Sequence, residues 1–375
     1  MQKEHLSDDA SDELIREKKA KVMLAEKEAK PSQAEPSRAD DIANWLDLLP
    51  TEVLSHIWSF LAKSELLICI SASSFPSFPS VEYLAETEWK QLPNMLSERY
   101  AFSAVQMENV IYVVGGNDAI YPISQPHSTM ESFDFQLPNW RREQRQRQQR
   151  RMNTSLEHCA AAVVQLGEVQ MIVVCGGLEE DREQYCTVLQ TVQLFNAQQR
   201  TWRGVENMRE TRYKHCAVTL KEQVVVLGGL DGNMKTVSSC EKYSPLQNIW
   251  HPFPNMLVPR QAAAATVANN KIFIAGGFDG KARLASVEVF NPSNGIWVNV
   301  SKMNSIRFGL GLATFGDKIV ALGGYDEEAL LKSVEVYDIE KDAWTDGPAM
   351  STPKFYPALI TVKVDKKLCH KSLFK

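Results

Sequence analysis

The chain contains no uninterrupted apolar stretch that approaches the roughly 20 residues of a membrane span. Its first residues, Met1 to Lys19, lack the apolar centre of a signal peptide. We therefore expect no membrane partner and a location in the cytoplasm, the nucleus or both, where the seven cysteines stay reduced. No Cys-x-x-Cys pair occurs among them, which argues against a zinc framework.

Basic charge and catalytic motifs are also scarce. A net charge of −5 argues against a nucleic-acid partner, which usually requires a basic face. The chain has only seven histidines and no Gly-x-Ser-x-Gly, Walker loop or His-Glu-x-x-His motif. His158-Cys159 and His215-Cys216 occupy the same place in two repeats, and we interpret them as core or channel-lining residues. We expect no catalytic residue, no bound metal and no cofactor.

What is present is a doubled glycine that returns after an apolar run. The second glycines lie 61, 52, 48 and 47 residues apart, and a tryptophan follows each pair by 20–25 residues. The pairs are Gly115-Gly116, Gly176-Gly177, Gly228-Gly229, Gly276-Gly277 and Gly323-Gly324, and the tryptophans are Trp140, Trp202, Trp250, Trp297 and Trp344. A period near 50 predicts an array of small sheets rather than one folded core.

Each repeat has the same internal order. A Met-x-x-x-Arg motif opens it, followed by small residues, the apolar run that ends in Gly-Gly, an alternating stretch and the tryptophan. The opening pairs are Met95/Arg99, Met208/Arg212, Met256/Arg260 and Met303/Arg307, with Leu156 after Met152 and Lys354 after Met350 in the arginine position. This order predicts four short strands per unit, with the small residues near a crowded axis and the tryptophan between neighbouring sheets.

The repeat resembles the kelch motif over about residues 80–365, which implies a mainly β fold, a kelch-type β-propeller. Five units are complete, and a sixth is split between the stretch from Val81 to Pro93 and the stretch from Lys354 to Val362. Joining the two in one blade would close a ring of six blades and remove exposed sheet edges. The split unit lacks a Gly-Gly pair, so we expect this blade to be short of a strand. An alternative assigns Trp89 to the preceding module.

Two segments precede the propeller, which gives predicted divisions at 1–41, 42–79 and 80–375. The first is highly charged and without aromatic residues, so we expect a disordered tail or a helix that binds a partner. The second has apolar residues at helical spacing after Pro50, and a second short helix is predicted from Ser64 to Ser71.

The second segment resembles the F-box, on the motif Leu49-Pro50-x-Glu52-Val53-Leu54-x-x-Ile57-x-x-Phe60-Leu61 and the following Leu66-Leu67 and Cys69. The resemblance implies a small α-helical module that binds the Skp-type adaptor of a cullin–RING ubiquitin ligase. The adaptor-binding residues would be Leu49, Pro50, Val53, Leu54, Ile57, Phe60, Leu61, Leu66 and Leu67. The stretch after Cys69 departs from the family pattern, and the alternative is a pair of helices that cap the propeller.

In four-stranded blades, the segments that carry the Met-x-x-x-Arg motif and the loops after Gly-Gly emerge on one face. In similar kelch adaptors that face binds target peptides, often through arginines at this position. The candidate target-binding residues are therefore Arg99, Arg212, Arg260, Arg307, Lys354, Asn117, Asp231, Asn233, Asp279 and Tyr325. Such a ring could hold acidic or phosphorylated segments. Alternatively, each arginine pairs with an aspartate of a neighbouring blade and stabilises the array.

The sequence thus favours a non-catalytic substrate receptor of a Skp–cullin–F-box type ubiquitin ligase. The F-box would dock on the adaptor, and the propeller would bind the target protein for ubiquitination. The second interpretation is a non-catalytic kelch scaffold or cytoskeleton-binding protein with a degenerate F-box. An enzyme, such as a propeller copper oxidase, is third, because too few histidines are present. The Arg/Gln-rich insertion at 140–151 is expected to be a solvated loop, a nuclear-targeting signal or a contact for an acidic partner.

Overall fold

The computed structural model describes residues 65–71, 80–85, 88–117, 127–143, 152, 155–180 and 186–363. Within these ranges the regular secondary structure is β-strand throughout, with no helix. No helix of this part is therefore long and apolar enough to span a membrane. The stretch from Leu49 to Leu61, the charged tail and most of the Arg/Gln-rich insertion lie outside the described residues.

Five blades follow one another along the chain, each a four-stranded antiparallel sheet. Blade 1 is β4 (Ser103–Met107), β5 (Val110–Val114), β6 (Met130–Asp134) and β7 (Leu137–Arg142). Blade 2 is β8 (Ala160–Leu166), β9 (Val169–Cys175), β12 (Val192–Asn196) and β13 (Thr201–Gly204), with a small hairpin of β10 (Leu178–Glu180) and β11 (Cys186–Val188) inserted. Blade 3 is β14 (Cys216–Leu220), β15 (Gln223–Leu227), β16 (Cys240–Ser244) and β17 (Ile249–Phe253). Blade 4 is β18 (Ala264–Ala268), β19 (Lys271–Ala275), β20 (Val287–Asn291) and β21 (Ile296–Val300). Blade 5 is β22 (Gly311–Phe315), β23 (Lys318–Leu322), β24 (Val334–Asp338) and β25 (Ala343–Gly347).

Blade 6 joins strands from both ends of the described chain, which confirms the predicted split blade and the six-bladed ring. Its strands are β26 (Ala358–Lys363), β1 (Glu65–Ser71), β2 (Ser80–Ala85) and β3 (Glu88–Leu92), and they pair in that order. Trp89 lies on β3, in the position that the other blade tryptophans hold, so its assignment to the preceding module is wrong.

The predicted helix from Ser64 to Ser71 is wrong, as is the expectation that blade 6 lacks a strand. Strand β1 pairs with β26 from Glu65↔Lys363 to Ile70↔Ala358 and with β2 from Ile68↔Tyr83 to Ser71↔Ser80. The apolar run is buried on both faces because neighbouring blades cover it. A short run of this kind reads equally well as helix or strand from sequence alone. The propeller therefore begins before residue 80.

Apolar side chains pack between neighbouring blades rather than around a single centre. Between blades 3 and 4, for example, Val225 and Leu227 face Ile272 and Ile274, with Trp297 in the same cluster. Successive side chains of β1 likewise pack against the two neighbouring blades in turn, since Ile68 packs toward blade 1 and Leu67 toward blade 5. At the axis the six first strands contact one another in a closed cycle. Small residues permit this approach, as the repeat pattern predicted.

In five of the six blades the tryptophan also binds the segment that leads into its own blade. Trp297 Nε1 donates a hydrogen bond to the carbonyl oxygen of Pro254 (2.8 Å), in the segment that leads into blade 4. Trp140, Trp250, Trp344 and Trp89 make the same bond to Pro93, Glu206, Ser301 and Pro348 at 2.7–3.0 Å. The buried tryptophan therefore has a polar partner for its only donor, in addition to its apolar contacts.

Candidate functional site: the loop face

Two sets of loops share one face of the propeller. We call the segment from the last strand of one blade to the first strand of the next an entry segment, and the loop between a blade's second and third strands an inner loop. Because all neighbouring strands in a blade are antiparallel, both sets emerge at the same end of the strands. This loop face contains all ten predicted target-binding residues.

The predicted arginines do not reach the surface of this face. Arg260 is 1% exposed, and its five N–H groups all have acceptors. Its Nη1 donates to the carbonyl oxygens of Gly276 (2.9 Å) and Ser286 (3.0 Å). Its Nε and Nη2 bond Glu288 Oε1 (3.1 and 2.9 Å), and Nη2 also bonds Ser286 Oγ (2.8 Å). Burial lowers the pKa of this guanidinium, and Glu288 opposes that shift.

The same arrangement recurs in four other blades. In each, a cation at the position of Arg260 pairs with a glutamate of the third strand, at the second residue in blades 1, 3 and 5 and at the third residue in blade 6. The pairs are Arg99–Glu131 (3.0 Å), Arg212–Glu241 (3.2 Å), Arg307–Glu335 (2.9 Å) and Lys354–Glu82 (3.1 Å). All five cationic side chains are buried to within 1% of full burial. They have no surface left for a target, so their predicted role in reading it is wrong. The architectural alternative is closer, but each cation pairs with a glutamate of the blade that it enters rather than with an aspartate of a neighbouring blade.

Blade 2 departs from this pattern at both the arginine and the glutamate position, and this supports the assignment. Leu156 stands in the arginine position, and the glutamate position of the same blade is occupied by Gln193. Both side chains are buried. Removing only the arginine would leave a buried carboxylate without its counter-charge, which is strongly unfavourable. Because the two departures occur in the same blade, no such charge remains.

In five of the entry segments, the residue at the arginine position also forms a backbone hydrogen bond to the preceding blade. The carbonyl oxygen of Arg260 accepts a hydrogen bond from the N–H of Gly229, on blade 3, at 2.8 Å. Corresponding bonds join Gly116 to Leu156, Gly177 to Arg212, Gly277 to Arg307 and Gly324 to Lys354. We call these five residues and Arg99 the latch residues. The carbonyl groups of the five bind the preceding blade, and the cationic side chains, that of Arg99 included, bind the blade that they enter. The glycine is required here, since φ is +93° at Gly229 and a Cβ would overlap Tyr213 and His215.

Two residues after each latch residue, the chain forms a ring around the axis. The six residues are Ala101, His158, Lys214, Ala262, Gly309 and Tyr356, and all have φ between 49° and 66°. Five backbone hydrogen bonds, from N–H to the carbonyl oxygen of the ring residue before it, link them at 2.8–3.2 Å. Five of the six are not glycine, although left-handed φ is uncommon for such residues. The ring therefore fixes the centre of the loop face rigidly.

Behind this ring the first strands enclose a channel of about 190 Å³. His158, Cys159, His215 and Cys216 line it, which confirms their interpretation as channel-lining residues. Burial lowers the pKa of both histidines to about 3 and raises the pKa of both thiols to about 12. The imidazoles are neutral and the thiols protonated at neutral pH. Among the described residues no group of three His, Cys, Asp or Glu side chains is placed to hold a metal ion.

Of the other predicted residues, most shape their own loops. The Asn117 amide is buried and donates to Glu157 Oε2 at 2.7 Å. Asp231 Oδ1 accepts from the backbone N–H groups of Asn233 and Lys235, both at 2.9 Å, and the Asn233 side chain is exposed.

Asp279 and Tyr325 lie on the inner loops of blades 4 and 5. Asp279 Oδ1 accepts from Lys281 and Ala282 N–H at 2.6 and 2.7 Å. Tyr325 is half-buried and donates from Oη to the Glu327 carbonyl oxygen at 2.7 Å. Asn233 and Tyr325 thus retain surface that a target could contact.

The most prominent surface feature is a run of aromatic rings that the sequence prediction missed. Each ring centroid lies 4.5–6.5 Å from the next, in the order Phe278, Phe308, Phe355, Tyr356, Tyr100, His158, Tyr213. We call these seven side chains the aromatic belt. Five of them are partly exposed, whereas His158 and Tyr213 are buried. A signal was available, because an aromatic residue directly follows the latch residue in four of the six blades.

The chain resembles known kelch proteins over parts of its length. Residues 121–286 match the family model "Attractin/LZTR1 beta-propeller", and residues 306–351 match the model "Kelch motif". A kelch repeat and BTB domain-containing protein of Caenorhabditis elegans is 26% identical over 161 residues, which cover 43% of this chain and 25% of the relative. Kelch-like protein 23 of Homo sapiens is 36% identical over 86 residues, 23% of this chain and 15% of the relative. The matched region thus spans a quarter or less of these relatives.

A solved structure shows the same fold. The chain described as "Structure of YjhT" superposes with a TM-score of 0.60 and 13% identity, covering 71% of this chain and 88% of the other. The matching family models and relatives are thus of the kelch-repeat and β-propeller type. No F-box model matches the chain.

Proposed function

We propose that the chain is the substrate-recognition subunit of a Skp–cullin–F-box type ubiquitin ligase, and that its loop face holds the target protein. The observation that supports target binding is the aromatic belt, because partly exposed rings around a rigid centre are typical of interface hot spots. Six belt residues lie on entry segments, whose backbones are hydrogen-bonded from blade to blade, and Phe278 lies on the inner loop of blade 4. Such a surface is ready to bind without reorganisation. We propose the cytoplasm, the nucleus or both as its location.

The adaptor-binding half of the proposal depends on the F-box-like motif from Leu49 to Leu61. The first strand of the propeller follows this motif closely along the chain, since β1 begins at Glu65. Leu67 is fully buried between blades and Leu66 is half-buried in blade 6, so we withdraw both from the adaptor-binding set. The proposed contacts are now Leu49, Pro50, Val53, Leu54, Ile57, Phe60 and Leu61.

Co-purification with a Skp-type adaptor tests this half. The full chain should retain the adaptor, and a Leu49→Ala, Pro50→Ala double variant should lose most of it. A Ser55→Ala, Ser59→Ala variant is the matched control, because these positions fall outside the apolar pattern of the same segment. Equal retention by all three proteins would exclude the ligase role.

The second candidate function is a kelch scaffold with a degenerate F-box, and one observation favours it. The family pattern is incomplete after Leu61, because the residues that should form the second helix are used in blade 6. A protein of this kind would capture its partner through the loop face without binding the adaptor. Capture of partner proteins that is lost in a Phe308→Ala, Tyr100→Ala variant, with no adaptor retained by wild type, would identify the scaffold.

A further inference from the structure

We propose that the loop face recognises a basic segment of its target, with an arginine or lysine side chain packed on the aromatic belt and paired with inner-loop carboxylates. This inference rests on the proposed target-binding function and specifies the chemistry of the target. It reverses the expectation of an acidic or phosphorylated segment, which depended on a ring of exposed arginines.

The first argument concerns which charges are accessible. Each buried latch cation is matched by a buried glutamate, so these five pairs present no positive surface to an acidic ligand. Arg260 illustrates this, because every one of its N–H groups is bonded within the blade. The charges that a target meets are therefore those of the inner loops.

Carboxylates outnumber basic side chains by seven to four on the described inner loops, where the basic residues are Lys235, Lys281, Arg283 and Lys332. Asp326, Glu327 and Glu328 follow Tyr325 on blade 5, Asp279 follows Phe278 on blade 4, and Asp231 follows Leu230 on blade 3. Backbone N–H groups bonded to Asp279 and Asp326 lower the pKa of both carboxyls, so they are ionised at neutral pH. An anionic ligand would meet like charges here, whereas a cation would be attracted.

A cation of the chain itself already lies over one belt ring, that of Phe308, and over the ring of Tyr325 beside it. The Arg283 guanidinium carbon lies 4.9 Å from the ring centroid of Tyr325 and 5.9 Å from that of Phe308. Its Nη1 is 3.6 Å from Glu327 Oε1, and 36% of the side chain is exposed. Two aromatic faces and a carboxylate form a favourable setting for a guanidinium. We infer that Arg283 occupies the kind of site that a target arginine would take.

A second internal example lies at the other end of the belt. Lys214 Nζ is 5.4 Å from the ring centroid of Tyr213. Burial lowers the pKa of this ammonium, and the nearby Glu157 carboxylate opposes that shift. Cation, ring and carboxylate thus recur together at two separate places. The rings between them, Phe355, Tyr356 and Tyr100, have no cation of the described residues over their faces and lie partly exposed.

The inference is tested with peptide libraries on the full chain. Four libraries share random flanking positions and differ at one fixed central residue, which is arginine, lysine, glutamate or phosphoserine. We expect the arginine library to be retained most and the lysine library next, with retention falling as salt is raised. A Phe308→Ala, Tyr325→Ala variant should lose this preference.

The Arg283→Ala variant should change peptide retention in opposite directions, depending on whether the belt binds cations or the face binds anions. If the belt binds cations, removing Arg283 frees two ring faces and Glu327, and retention of the arginine library should rise by about two- to fivefold. If the face binds anions, the same change should weaken retention of the glutamate or phosphoserine library. Lys281→Ala is the matched control, because it removes one exposed positive charge from the same loop without a ring contact. It should change retention less than Arg283→Ala.

The outcomes separate this inference from the proposed function. Preference for glutamate or phosphoserine, or weaker arginine binding by Arg283→Ala, would overturn the basic-target inference and leave target binding intact. Retention of no library above the Phe308→Ala, Tyr325→Ala variant would also overturn it. If that variant in addition captured cellular proteins as well as wild type, the proposed role of the loop face would fail with it. The adaptor co-purification is independent of all these results.

Discussion

At the scale of single residues, the position that the sequence presents as a recognition arginine is an internal brace. The motif and its period were predictable, but its burial was not. Arg260 and Glu288 are 28 residues apart, and only the folded blade encloses the pair. Several of the accessible residues directly follow a latch residue. The sequence showed that they are aromatic, but not that they lie together on one face.

Removing one partner of a buried latch pair should destabilise the fold more than replacing both partners. Arg260→Leu leaves Glu288 buried without its cation, and we expect a loss of about 3–5 kcal/mol in the free energy of unfolding. Adding Glu288→Gln reproduces the Leu156/Gln193 arrangement of blade 2 and should recover most of that loss. Urea denaturation of the single and double variants measures both quantities. Additive losses would mean that the two side chains do not act as a pair.

The buried histidines should make stability depend on pH. His215 has a folded-state pKa of about 3, against an ordinary value of 6.5, because burial disfavours the charged imidazole. Below pH 6.5 the unfolded chain binds a proton that the folded chain does not, so stability falls as pH falls, down to about pH 3. His215→Gln removes this contribution. The stability of wild type relative to the variant should drop by about 1.4 kcal/mol per pH unit below 6.5. Parallel stability curves would contradict the assignment.

At the scale of elements, the Gly-Gly strands and the tryptophan strands were predictable because their signals recur at each repeat. Strand β1 was not, since it has no Gly-Gly pair and its apolar run continues the F-box-like pattern. Only pairing with β26 and β2, and cover from blades 1 and 5, decides that Glu65–Ser71 is extended. The split of blade 6 followed from Trp89 and the closing repeat.

The first glycine of each pair allows a test of the link between blades. Gly228 has φ +62°, and an added Cβ would overlap the carbonyl oxygen of Arg260. Gly295 has φ +73° with nothing within 4 Å of an added Cβ. Gly295→Ala should therefore cost only the left-handed backbone penalty of about 1–2 kcal/mol. Gly228→Ala should cost about 2–5 kcal/mol, since overlap is added. Equal midpoints of urea denaturation would show that the link carries no stability.

At the scale of the whole molecule, six apolar layers between neighbouring blades take the place of a single core, and blade 6 closes the ring. Ile68 is fully buried in its second strand, with hydrogen-bonded neighbours on both sides. Ile68→Lys would place a charge between blades 6 and 1. We expect it to lower the melting temperature of the entire propeller by 10 °C or more, roughly the effect of losing several kcal/mol.

Leu61→Lys is the control for this experiment, because it makes the same type of change in the F-box-like motif, before β1. It should weaken adaptor retention while leaving the melting temperature of the propeller nearly unchanged. The reverse pattern, in which Ile68→Lys abolishes adaptor binding and leaves the melting temperature intact, would restore the interpretation of residues 64–71 as part of an adaptor-binding module.

The closure of blade 6 also sets an order of events during synthesis. Strand β1 leaves the ribosome early, but its partner β26 follows about 290 residues later. At typical translation rates this is a delay of roughly 15–60 s, during which β1 has an unpaired edge of apolar residues. Until blade 6 closes, that edge can pair with another chain, so its protection by a chaperone or by the rest of the nascent chain would favour correct folding.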